Sequence, residues 1–258
     1  MPVASTRRLW SDRTVFGRKV DHRRWARRLW WTFLATAALF VLFPSIDLAV
    51  SSWFFRQGQG FPVHANPTAE ALRWTIWRLS EGMLLVAVVF LIATVFRKGI
   101  DELTARHWWF VVLLYLLGPG ILVNGLLKAN WGRARPSDVA EFAGPLEFTP
   151  PLEVSDQCLR NCSFVSGEGA AAFAFAISML ILLSAVRGRM KRFQLQLAVG
   201  AALAVGIVGP LLRVMAGRHF LSDTLFAAIF TLAIALALHW ALLRESAETN
   251  PHDLSSRR

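Results

Sequence analysis

The sequence predicts an all-α, polytopic membrane protein with six transmembrane helices and both termini cytoplasmic. Three observations carry that reading: the composition, a set of uncharged apolar runs, and the placement of charge between them. Of 258 residues, 55% are hydrophobic and only 17% are charged, and the mean hydropathy is +0.44. A soluble domain carries about 25% charged residues. The apolar content excludes a disordered chain. No repeat of roughly 20–50 residues recurs, which excludes a solenoid.

The uncharged runs are 29–46, 82–96, 108–127, 169–186, 193–212 and 224–243. A helix needs roughly 20 residues to cross a bilayer. Five runs come close, and the second reaches that length when it starts near Leu72. Nine Lys/Arg precede the first run: Arg7, Arg8, Arg13, Arg18, Lys19, Arg23, Arg24, Arg27 and Arg28. That stretch is too long and too basic for a simple cleaved signal, so the first run is expected to be a retained helix. Arg97, Lys98 and Arg106 separate runs two and three, and four more cations fill 187–192. The loop 52–71 on the other side holds only Arg56. Cations on alternate loops are the positive-inside pattern, which sets the orientation. Trp30, Trp31, Trp53, Trp108, Trp109 and Trp131 fall near run ends, where an aromatic belt sits. The net charge of +11 is therefore assigned to membrane lipid headgroups rather than to nucleic acid. The expected organisation is a basic segment 1–28, a membrane domain 29–243 and a cytoplasmic tail 244–258.

On this topology three polar clusters, far apart in sequence, reach the outer face. The first is KANWGRARP, from Lys128 to Pro136; the second is Ser166-Gly167-Glu168-Gly169; the third is RVMAGRHFLSD, from Arg213 to Asp223. Lys128, Arg135 and Arg213 bring three cations to one membrane edge, where charge is costly unless paired or wetted. Three cations imply an anion, and guanidinium forks match phosphate oxygens. Ser166 and Gly167 open a helix whose free N–H groups form a ready anion site. His219 and Asp223 are spaced i,i+4, so a carboxylate can hold one imidazole nitrogen and leave the other as nucleophile or base. Read one at a time, these residues are also interface anchors, a helix cap and a structural hydrogen bond; their convergence on one face favours a single site. His219, Asp223 and Glu168 as metal ligands are disfavoured by the neighbouring cations. His64, His107 and His239 lack such company and read as loop or interface residues. Arg78 and Glu81 pair at i,i+3 or read a headgroup. Cys158 and Cys162 lie on the oxidising side, where a disulfide forms; two free thiols are the alternative, and two sulfurs are too few for structural zinc.

These clusters resemble the type-2 phosphatidic acid phosphatase superfamily. Its signature is Lys-x6-Arg-Pro, then Pro-Ser-Gly-His, then Ser-Arg-x5-His-x3-Asp. Lys128, Arg135 and Pro136 match the first part, Ser166 and Gly167 the second, and Arg213, His219 and Asp223 the third. Val165 and Leu212 depart from it, and Glu168 stands where the family has His. The resemblance implies a membrane lipid phosphatase, most simply in a bacterial inner membrane with its site on the periplasmic face. His219 would attack phosphorus and become a phosphohistidine, and Asp223 would orient it. Lys128, Arg135, Arg213, Ser166 and Gly167 would cradle the phosphoryl oxygens, with no metal or organic cofactor. The substrate would be a lipid phosphate or pyrophosphate: lipid A, polyprenyl pyrophosphate, phosphatidylglycerol phosphate or phosphatidate. A phosphotransferase with an alcohol acceptor and a non-catalytic transporter or scaffold remain as alternatives. Glu168 has three readings: proton donor to the leaving oxygen, helix cap or Arg partner, and headgroup contact. The first is the expectation. The proline-rich loop between Trp131 and Ser163 is expected to be a lid.

Overall fold

The computed structural model describes residues 14–16, 18–96 and 103–243. Most of the basic segment before residue 18, Arg97, Lys98 and the tail 244–258 lie outside the described residues. Among the described residues five helices are long and apolar enough to cross a bilayer, or six if one sharply bent pair is a single span. Among the described residues the only sheet is a two-stranded ribbon, β1 (Thr14–Val15) and β2 (Arg18–Lys19).

Helix α1 (His22–Leu42) starts at Asp21, whose carboxylate accepts from the Arg24 N–H. It ends before Phe43-Pro44, where proline lacks the N–H that would continue the ladder. The chain turns by 83° into α2 (Ser45–Ser52). That turn carries Asp47 inward, to complete burial. A short α3 (Pro62–Ala65) leads into α4 (Pro67–Phe96), which at 30 residues is about 45 Å long.

The third span starts as α5 (Ala105–Tyr115), widens to π-helical turns over Leu116–Leu127, and closes with α6 (Lys128–Asn130). Gly118-Pro119-Gly120 lies in the widened part. Pro119 has no N–H to give, and its carbonyl accepts instead from Asn124 Nδ2 at 2.6 Å. The segment expected to be a lid is a packed cap. It carries 3-10 turns at Pro136–Asp138 and Ala140–Phe142, and Val139 and Phe142 pack with Phe61 and Phe220.

Helix α7 (Gly167–Val186) is central and packs against α4, α5, α8 (Arg192–Met215) and α9 (Leu221–Leu238). Helices in lipid associate through small residues that let backbones approach. Here a Cβ on Gly206 would lie 2.9 Å from the Ala176 Cβ, and one on Gly209 would lie 3.0 Å from the Ala172 Cβ. Close packing of α8 on α7 fixes where α8 ends, and so where Arg213 stands. Helix α9 runs on through wider turns at His239–Leu243.

Candidate active site

The start of α7, the ends of α6 and α8, and the start of α9 meet at one end of the bundle. Main-chain bonds tie them together: Ser163 N to Arg133 O at 2.9 Å, and Ser166 N to Asp223 O at 3.2 Å. Ser166 is the N-cap of α7, and its hydroxyl accepts from Gly169 N at 3.1 Å. Lys128, Arg135, Arg213, Ser166, His219 and Asp223 are all buried here. The three clusters separated in sequence are thus brought together.

The imidazole of His219 is fixed differently from the simple His–Asp pair that the i,i+4 spacing suggested. Its Nδ1 lies 2.8 Å from the Ser163 carbonyl oxygen and 3.8 Å from Asp223 Oδ2. A carbonyl only accepts, so Nδ1 carries the proton and Nε2 keeps its lone pair. Asp223 acts one residue removed. Its Oδ2 accepts from Ser163 Oγ at 2.5 Å and Phe220 N at 2.8 Å, and its Oδ1 from Arg133 Nη1 at 2.6 Å. Asp223 therefore steadies the residue whose carbonyl holds the histidine. Burial pushes the His219 pKa down to about 4, only partly offset by Asp223. The ring is neutral near pH 7, the form a nucleophile requires.

Beneath the histidine lies a group that the sequence reading missed. Arg133 is fully buried. Its Nε donates to Thr149 O at 2.8 Å, Nη1 to Ser222 Oγ at 2.9 Å and to Asp223, and Nη2 to Asp47 Oδ2 at 2.8 Å. Its Cζ sits 4.3 Å from the Phe220 ring centroid. Asp47 also accepts from Ser222 N at 2.9 Å. The signals were present: Arg133 lies within the first motif, and Asp47 is an acid flanked by Ile46 and Leu48.

Around His219 several cations keep donors that form no hydrogen bond. No hydrogen bond or ion pair reaches the Lys128 ammonium among the described residues, and the Nε atoms of Arg213 and Arg218 are buried without a hydrogen-bond partner. Arg135 Nη2 donates to Asn161 O at 2.7 Å. Asn161 sits inside the small loop closed by the Cys158–Cys162 disulfide, whose Cα atoms are 5.6 Å apart. At Gly167 an added Cβ would stand 2.8 Å from Asn124 Oδ1.

Glu168 faces the cluster, but its carboxylate is engaged. Both oxygens lie 3.1 Å from Arg73 Nη1, and Oε2 lies 3.6 Å from Arg213 Nε. Arg73, on α4, is a second residue that sequence reasoning did not single out. Arg78 and Glu81 pair with each other at 2.7 Å on an exposed face. His239 Nδ1 lies 2.9 Å from His22 Nε2. The pairing spans 217 positions of sequence and so left no local trace. His107 helps cap α5, its Nδ1 lying 3.3 Å from Thr104 N.

A buried anion cradle beside a neutral, oriented imidazole suits phosphoryl transfer. Residues 107–246 match the model of the PAP2 superfamily. A lipid A 4'-phosphatase of Rhizobium leguminosarum is 32% identical over 226 residues, covering 81% of this chain and 93% of that protein. The lipid A 4'-phosphatase of Francisella tularensis subsp. novicida is 30% identical over 192 residues, covering 74% and 83%. The crystal structure of a transmembrane PAP2-type phosphatidylglycerolphosphate phosphatase from Bacillus subtilis superposes with a TM-score of 0.54 at 20% identity. That match covers 82% of this chain and 92% of the other, and it bears on the fold alone.

Proposed function

The chain belongs to the PAP2 superfamily, and from that premise we propose that it removes the 4'-phosphate of lipid A through a phosphohistidine on His219. That it is a membrane phosphatase acting on lipid phosphates follows from its relatives. Three of these are lipid A 4'-phosphatases, and this favours lipid A over the other lipid phosphates. The observation that carries the mechanism is the Ser163 carbonyl on His219 Nδ1, which leaves Nε2 free among Lys128, Arg213 and the start of α7.

In the first step Nε2 forms a bond to phosphorus, the bond from phosphorus to the sugar oxygen breaks, and that oxygen takes a proton from solvent water and leaves as the sugar hydroxyl. Lys128, Arg135, Arg213, the Ser166 hydroxyl and the N–H groups at Gly167 hold the oxygens as charge develops on them. Water then attacks phosphorus, phosphate leaves and the imidazole is restored. Residues 29–243 act as one catalytic unit, with the basic segment and the tail at its cytoplasmic side. The site end is opposite the Arg187–Arg192 connection, which supports a periplasmic site in an inner membrane.

Phosphate release from lipid A, phosphatidate, phosphatidylglycerol phosphate and polyprenyl pyrophosphate in detergent, with EDTA present, tests the assignment. Lipid A is expected to turn over fastest. His219→Ala is expected to abolish release and the acid-labile phosphoenzyme while the protein stays folded. More than a few per cent residual activity in His219→Ala would refute the phosphohistidine.

A further inference from the structure

Glu168 occupies the position where the family signature has a histidine, and its surroundings define a role for Arg73. Four charged groups alternate in sign across three helices: Glu70 and Arg73 on α4, Glu168 on α7, Arg213 on α8. Arg73 Nε lies 2.9 Å from both Glu70 oxygens, and its Nη2 lies 2.5 Å from Oε1. Nη1 reaches both oxygens of Glu168 at 3.1 Å. The second oxygen of Glu168 faces Arg213 Nε at 3.6 Å. Both Glu168 oxygens thus act as acceptors, and a proton carried on either would face the guanidinium protons of Arg73. The pair lines a small cleft together with Ile76, Trp77, Ser80 and Gly209. It supplies no other cation, so Arg73 alone neutralises Glu168 on that side. Without Arg73 a bare carboxylate would stand beside an anionic substrate and compete with it for Arg213. Arg73 precedes the matched region 107–246, so no family motif supplies it.

We propose that Arg73 is a positioning residue of the site: it cancels the charge of Glu168 and holds that carboxylate against Arg213, so that Glu168 orders the phosphate cradle and donates no proton. This rests on the phosphatase reading above. Arg73 acts through Glu168, and its importance ends where Glu168 is replaced by a neutral residue.

Orthovanadate, a pentacoordinate phosphate mimic, reads the cradle without turnover, so a failure of the lipid assignment leaves this test intact. Its dissociation constant is taken from melting curves of the detergent-solubilised protein, alongside kcat and KM on lipid A. Arg73→Gln is expected to weaken vanadate binding and kcat/KM by about tenfold to a hundredfold, the range for residues coupled in one charged network. In a Glu168→His background the same substitution is expected to cost less than about threefold. Arg73→Lys, which keeps the charge, restores part of the loss and serves if Arg73→Gln folds poorly. Arg78→Ala is the neutral control. Glu168→Gln is expected to leave the pH limbs of kcat in place. Equal losses from Arg73→Gln in both backgrounds, no loss in either, or an alkaline limb that disappears in Glu168→Gln would each overturn the proposal.

Discussion

Replacing Arg133 with Met tests whether the buried charge cluster is what holds the site together. The methionine approximates the length of the lost stem but brings no donor. Four hydrogen bonds end at once, to Thr149 O, Ser222 Oγ, Asp223 Oδ1 and Asp47 Oδ2. Both carboxylates are fully buried and lose the one cation they share. Breaking a buried ion pair from one side costs about 3–5 kcal/mol, against a total stability of about 5–15 kcal/mol. For a chain of this length each kcal/mol moves the midpoint by about 2–4 °C, so melting in detergent should fall by roughly 6–20 °C. Arg133→Lys keeps the charge without the fork and should lie between the two. The loss should also be non-additive. In Asp47→Asn/Arg133→Met one orphan charge is gone, and the double variant should be more stable than the summed single losses by about 1–3 kcal/mol. Tryptophan fluorescence melts, with phosphate release measured well below each midpoint, supply both numbers. A midpoint within about 3 °C of wild type, or strictly additive losses, would refute the reasoning.

Four further outcomes follow from the site. Because the neutral imidazole is the nucleophile and its pKa is pushed down to about 4, kcat/KM should fall on the acid side near pH 4, and an acid limb at about 6.5, the unperturbed value, would refute this. The same depressed pKa means that the unfolded chain binds the proton first, so stability should decline as pH drops from about 6.5 towards 4, which melts across that range would detect. Cys158→Ser with Cys162→Ser opens a five-residue loop, costing about 2 kcal/mol by loop entropy. It also frees Asn161, so KM should rise as Arg135 loses its carbonyl; dithiothreitol should reproduce both effects on wild type and leave the double variant unchanged. Gly169→Ala would place a Cβ 2.9 Å from Ser166 Oγ, displacing the cap, with a loss of about 1 kcal/mol and at least about tenfold in kcat. Gly200→Ala, where a Cβ meets nothing within 4 Å, should match wild type in the same assays.

The sequence by itself determined the membrane class, the approximate spans and the three polar clusters. These are local properties: apolar length, cations between runs, and fixed spacing within a motif. The i,i+4 spacing suggested one helical face for His219 and Asp223, whereas His219 lies in the turn before α9 and Asp223 in its first turn. The first span was only half legible, because hydropathy registers Pro44 as one more apolar position, whereas the backbone turns there by 83°. Tertiary structure alone decided which groups touch. The acceptor for His219 Nδ1 is a main-chain carbonyl 56 positions away, and a carbonyl has no sequence signature. Arg133 meets Asp47 across 86 positions, and Arg73 meets Glu168 across 95. In a soluble bundle the apolar stripe shows which face turns inward. Helices in lipid are apolar on every side, so that guide is lost. Rotation is set instead by close contacts such as Gly206 on Ala176. Those contacts turn α7 and α8 so that Glu168 meets Arg73 and Arg213.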